Sequence, residues 1–80
     1  MRVTVLLFAS YADALGERAI TLDLPDHACA GDVVAALRER PGAHAVPPTP
    51  LVAVNERYAA AGAALADGDV VALLPPVAGG

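Results

Sequence analysis

Residues 2–8 (Arg-Val-Thr-Val-Leu-Leu-Phe) are β-branched and apolar and read as a strand. A period of two sends Val3, Val5 and Leu7 to one face and Thr4, Leu6 and Phe8 to the other. Residues 17–24 alternate again, with Ile20, Leu22 and Leu24 on one face and Ala19, Thr21 and Asp23 on the opposite one. Between these runs, residues 10–15 (Ser-Tyr-Ala-Asp-Ala-Leu) predict a short helix, with Ser10 as its N-cap and Gly16 just past its end. The two strands therefore form an antiparallel hairpin with a long connection.

Pro25-Asp26 ends the second strand, and the main helix is predicted over 30–40. Val33, Val34 and Leu37 make its apolar stripe. Asp32 suits the positive N-terminal end and Arg38 and Arg40 the negative C-terminal end. Pro41-Gly42 stops the helix, and the four prolines of residues 41–50 mark a loop. Residues 51–55 (Leu-Val-Ala-Val-Asn) read as a strand, whereas the alanine-rich stretch 56–66 has no clear period. Asp67-Gly68-Asp69 is a turn signal before the last strand, Val70 to Leu74. The order ββαβ…β, with one long helix to cover one sheet face, is that of an α+β domain.

The 80 residues make one domain, and 56% of them are hydrophobic, which excludes a disordered chain. The net charge is −4, and all five cations are arginines scattered along the sequence. With no basic run, nucleic acid is not an expected partner; a basic-faced protein is compatible. The absence of lysine means that no side-chain amine here can accept an isopeptide bond. The single cysteine, Cys29, excludes an intrachain disulfide and fits a reducing cytoplasm. Its neighbours Asp26 and Asp32 carry the wrong charge to stabilise a thiolate, so Cys29 reads as a packed or helix-start residue. His27, Cys29 and His44 match no zinc spacing, so no metal is expected. The apolar run after Arg2 is short and holds Thr4, which fits a strand better than a signal peptide, and no segment approaches a membrane span.

The chemistry-bearing feature is the end of the sequence, Pro75-Pro76-Val77-Ala78-Gly79-Gly80. Domain ends commonly fray without meaning. Two glycines, however, can thread a channel that any side chain would block. Pro75-Pro76 stiffens the base of such a tail toward an extended shape. The expected division is a domain over 1–74 and a tail over 75–80 whose working group is the Gly80 carboxylate. A carboxylate is a poor acyl electrophile and needs activation, most simply as an acyl-adenylate. That implies an ATP-using partner, because the chain carries no phosphate-binding loop and no cofactor of its own is expected. A second candidate feature follows from strand parity: Leu6, Phe8, Ala72 and Leu74 fall on the sheet face away from the helix, beside the start of the tail. A contiguous apolar patch on adjacent strands reads as an interface.

Taken together, Val5-Leu6-Leu7-Phe8-Ala9, Gly31-Asp32-Val33-Val34-Ala35-Ala36-Leu37, Leu51-Val52-Ala53-Val54-Asn55 and the run Asp67 to Gly80 resemble the small, sulfur-carrier subunit of molybdopterin synthase. The likeness spans the whole chain, and its most specific part is Asp67 to Gly80. It implies a ubiquitin-like β-grasp fold: a mixed sheet of four to five strands with one main helix on one face. It further implies that an E1-like adenylyltransferase activates Gly80 and that sulfur from a persulfide donor converts it to a thiocarboxylate. The tail Pro75, Pro76, Val77, Ala78 and Gly79 would then enter the large catalytic subunit of a heterotetrameric synthase in the cytoplasm. There the sulfur passes to cyclic pyranopterin monophosphate for molybdenum cofactor biosynthesis. By position, the family's partner contacts map onto Phe8, Tyr58 and Leu74. Cys29 stands where related chains often carry a threonine helix cap, a departure worth about 0.5–2 kcal/mol of helix stability. Two other readings share the same first chemical step: a thiamine-thiazole sulfur carrier and a ubiquitin-like modifier of protein lysines.

Overall fold

The computed structural model describes residues 1–76. Its elements are β1 (Arg2–Leu7), α1 (Ala9–Leu15), β2 (Ala19–Asp23), α2 (Ala30–Arg38), a 3-10 turn (Ala43–Ala45), β3 (Leu51–Val54), β4 (Arg57–Tyr58) and β5 (Val70–Leu74). The strands form one sheet in the order β2-β1-β5-β3-β4. The expected β1–β2 hairpin is antiparallel, with Thr4 opposite Thr21. At the centre of the sheet β1 and β5 run parallel, with Val5 opposite Val71 and Leu7 opposite Leu73. β3 is antiparallel to both β5 and β4. The mixed sheet and the α+β class agree with the sequence expectation.

Alternation decides which face is dry. Val3, Val5, Leu7, Ile20, Val52, Val71 and Leu73 are buried with Val33, Val34 and Leu37 of α2 in one core. Each such side chain contributes roughly 1.5–3 kcal/mol by leaving water. Tyr11 of α1 joins the same core, and its burial pushes the phenol pKa up. The loop between α2 and β3 is also anchored: Ala43 and Val46 are buried, and the Arg38 Nε donates to the Val46 carbonyl at 3.2 Å.

Two local expectations need correction. Ser10 does not cap α1; it is an exposed residue of the first turn. The N-cap is Phe8, extended at φ −127° and ψ 152°, with no side-chain cap, and its carbonyl accepts from the Tyr11 and Ala12 amides at 3.1 and 3.4 Å. The helix can begin there because Ala9 takes a left-handed turn, φ 47°, that swings the chain off β1. At the other end Gly16 adopts φ 76° and donates to the Ala12 carbonyl at 2.8 Å, as its position suggested. The second correction concerns α2, which ends at Arg38 rather than at residue 40.

The alanine-rich stretch is a strap over the start of α2. The Ala30 amide donates to the Ala63 carbonyl at 2.9 Å, Gly31 to Ala61 at 2.8 Å, and Leu65 to Ala28 at 3.0 Å. Backbone that close leaves little room for side chains: a Cβ on Gly31 would lie 3.2 Å from the Ala61 oxygen. Cys29 is the N-cap of α2, and the Asp32 carboxylate accepts from its backbone amide at 2.8 Å. The strap and this local box satisfy the helix's otherwise orphaned amides.

Candidate docking site

The sheet face opposite α2 is an apolar strip. Cross-strand pairing lines up Ala19, Leu6, Ala72, Ala53 and Tyr58 in one row across all five strands. The adjacent row on the same face pairs Leu74 with Leu51. Phe8 directly follows Leu7, whose partner is Leu73, so the C-terminal end of β1 lies beside the C-terminal end of β5. The parallel pairing thus brings Phe8 to the point where the chain leaves the sheet through Pro75 and Pro76.

Leu6, Phe8, Ala53, Tyr58, Val70, Ala72 and Leu74 line one shallow groove on this face, rimmed by Asn55 and Glu56. Phe8 is 43% exposed, Leu51 50%, Tyr58 75% and Val70 38%; these are the exposed large hydrophobic residues among those described. A sheet hides such groups when it can, so their collection on one face makes it the candidate interface. The structure therefore brings Phe8, Tyr58 and Leu74 together, as strand parity and position suggested. Pro75 and Pro76 follow directly from β5 in irregular backbone, half-buried and exposed respectively. The remaining tail positions singled out from the sequence, Val77, Ala78, Gly79 and Gly80, lie outside the described residues.

Five members of the site escaped sequence reasoning: Leu51, Ala53, Asn55, Glu56 and Val70. Val70 shares the parity of Ala72 and Leu74 but is the first residue of its strand, and Leu51 and Ala53 belong to a wholly apolar strand of four residues that shows no alternation. Asn55 and Glu56 form the two-residue β3–β4 turn, and both are left-handed, at φ 49° and 70°. That is the backbone of a tight hairpin whose twist matches the strands. Asn55 suits it, and its side chain binds the neighbouring turn on both sides. Its Oδ1 accepts from the Val70 amide at 3.0 Å, and its Nδ2 donates to Asp69 Oδ1 at 2.9 Å. The other Asp69 oxygen accepts from the Ala66 amide at 2.8 Å. These bonds, from Ala66 first and Asn55 second, hold the Asp69 carboxyl below its ordinary range. At the open end of the β1–β2 pair, Arg2 Nε donates to Asp23 at 2.8 Å and lowers the Asp23 pKa. Among the described residues, no three His, Cys, Asp or Glu side chains converge as a metal site, and no helix is long and apolar enough to cross a membrane.

A five-stranded mixed sheet with parallel central strands, helices on one face and an open apolar strip on the other is a ubiquitin-like β-grasp protein. Within that class the chain belongs to the ThiS family, which matches residues 5–80. It is 35% identical, over an alignment of 83 positions that covers all of both chains, to the molybdopterin synthase sulfur carrier subunit of Chlamydomonas reinhardtii. Among solved structures it resembles small archaeal modifier protein 1 of Haloferax volcanii, with 32% identity and a TM-score of 0.85 over 95% of this chain and 98% of that one. It also resembles a chain from the complex of subunits 1 and 2 of the molybdopterin-converting factor of Helicobacter pylori. That match has 30% identity and a TM-score of 0.73 over the whole of both chains.

Proposed function

We propose that this protein is the sulfur-carrier subunit of molybdopterin synthase, acting in the cytoplasm with Gly80 as its reactive residue. The observation that carries the reading is the apolar strip of Leu6, Phe8, Ala72 and Leu74 beside the exit of the chain toward Gly79-Gly80. A partner that docks on the strip meets the chain where it leaves β5 through Pro75 and Pro76. The similarity to the sulfur carrier subunit of Chlamydomonas reinhardtii supports the assignment.

In this reading a Gly80 carboxylate oxygen attacks the α-phosphorus of ATP in an E1-like adenylyltransferase, and pyrophosphate leaves. A persulfide sulfur then attacks the acyl carbon, and AMP departs with the electron pair of the acyl–oxygen bond. Reduction of the acyl disulfide by a thiol leaves Gly80 as a thiocarboxylate. Pro75, Pro76, Val77, Ala78 and Gly79 enter the large subunit, while Phe8, Tyr58 and Leu74 dock on its surface. The sulfur passes to cyclic pyranopterin monophosphate. The described domain supplies recognition, and the partners supply nucleotide and electrophile.

Incubation with ATP, the adenylyltransferase and a persulfide donor should produce a species in which one C-terminal oxygen is replaced by sulfur. Intact-mass analysis reads this directly, and absence of that species refutes the carrier assignment. The resemblance to small archaeal modifier protein 1 favours a second reading, attachment to lysines of other proteins. It predicts a ladder of high-mass conjugates on immunoblots of cell lysate, which a dedicated carrier does not give.

A further inference from the structure

Glu56 is the one charged residue among those that line the apolar groove, within the described residues. It is exposed, and none of the hydrogen bonds or ion pairs of the described residues engages its carboxylate. The nearby acid Asp69 differs: both of its oxygens are occupied, by Asn55 and by Ala66. Glu56 also sits where its residue type is costly. At φ 70° it occupies the second position of the β3–β4 turn, which glycine or asparagine fills with less strain. The turn is held rigid from both sides, by the Val54–Arg57 pair and by the Asn55 bonds to Asp69 and Val70. A rigid turn therefore carries a carboxylate at one end of an apolar groove whose other end is Leu74 and the exit of the chain.

We infer that Glu56 is a specificity-determining residue of this docking surface and that it pairs with a cationic side chain on the partner. The inference rests on the proposed docking of the synthase large subunit. An apolar strip supplies affinity but tolerates sliding; a single charge at the end remote from the tail sets the register. With Phe8 and Leu74 at one end and Glu56 at the other, the partner can sit in only one direction, with its channel over the tail. The charge complement is an arginine or lysine facing the β3–β4 turn, on a partner surface otherwise apolar. Charges of this kind act chiefly on selectivity and association rate, and salt weakens them.

The test compares Glu56→Asn, Glu56→Arg and Phe8→Asp with wild type. Each is titrated against the large subunit by calorimetry and by stopped-flow association, at about 20 mM and about 500 mM salt. Asparagine suits the left-handed backbone, so Glu56→Asn should melt at or above the wild-type temperature. It should nonetheless bind several-fold more weakly at low salt, with most of the salt dependence of the association rate gone. Glu56→Arg should bind about tenfold more weakly or worse at low salt, and less so at high salt. Wild-type affinity and salt dependence in Glu56→Asn, beside lost binding in Phe8→Asp, would overturn the role of Glu56 and leave the docking surface standing. If wild type itself fails to bind the large subunit, the proposed function falls, and this inference with it.

Discussion

The Asn55 amide and the Asp69 carboxylate are joined side chain to side chain, Nδ2 donating to Oδ1 at 2.9 Å, and so tie the β3–β4 turn to the turn that launches β5. Because the same carboxylate accepts from the Ala66 amide, its proton affinity is lower in the folded chain than in the unfolded one. A depressed carboxylate contributes stability above its unfolded pKa and loses that contribution as pH falls through the folded value. Asp69→Ala should therefore be less stable than wild type at neutral pH. The gap should narrow steadily below about pH 4, where carboxylates of ordinary pKa begin to protonate. Urea midpoints across that range provide the check; a gap that is constant with pH would show that the ionised form is not what matters.

Two glycines with the same backbone separate strain from crowding. Gly42 and Gly68 both adopt φ 86°, but a Cβ on Gly68 meets nothing within 4 Å. On Gly42 it would lie 2.1 Å from the Ala14 carbonyl oxygen, where the loop after α2 presses on the end of α1. Gly68→Ala should cost about 1–2 kcal/mol, the ordinary penalty of a left-handed alanine. Gly42→Ala should exceed about 3 kcal/mol, beyond the usual range for single substitutions, because backbone must move. Thermal melts of both variants decide the order, which equal shifts would contradict.

The parts of this fold that could be read from residues alone are those where a period had room to repeat. β1 and β2 each show a full alternation, so Val3, Val5, Leu7 and Ile20 were assignable to the core face, and Leu6 and Phe8 to the other. The strip at the docking site was legible for the same reason. The parallel pairing of β1 with β5 was not, because their partnership joins residues more than sixty positions apart. Residues 56–66 were opaque because their role is carried by backbone. The strap caps α2 with carbonyl oxygens of Ala61 and Ala63, and alanine reports closeness without periodicity. Ser10 misled for a related reason: its residue type favours a cap, but the chain reaches α1 straight from β1, so Phe8 starts the helix.

Among the described residues, every member of the main buried cluster lies between Val3 and Leu73. Deleting Gly80, or adding an alanine after it, should leave the melting temperature within about 4 °C of wild type, as for changes away from core contacts. Either change should abolish sulfur transfer under the proposed function, since the first removes the residue to be activated and the second displaces it. Melting curves and a single-turnover assay with the large subunit read the two effects separately. A truncation that destabilises like a core substitution would mean that the last residues pack against the domain.

Leu73 and Leu74 are neighbours in sequence with opposite duties. Leu73 is fully buried against the helix layer, whereas Leu74 is half-buried on the open face, paired with the exposed Leu51. Truncating Leu73 to alanine removes packed volume that the core cannot recover, at a cost of about 2–5 kcal/mol. For a domain of this size that lowers the melting temperature by at least about 8 °C. Leu74→Ala should cost far less stability, because part of its surface already meets water. In binding the order should reverse. Leu74→Ala should weaken the large subunit's affinity, and Leu74→Asp or Phe8→Asp should weaken it at least about tenfold, since an unpaired charge would be desolvated in the complex. Leu73→Ala, measured well below its melting temperature, should bind nearly as wild type. Circular dichroism establishes which variants are folded and calorimetric titration gives the affinities. Unfolding of both aspartate variants, or wild-type affinity in both, would dismiss the open face as the docking surface.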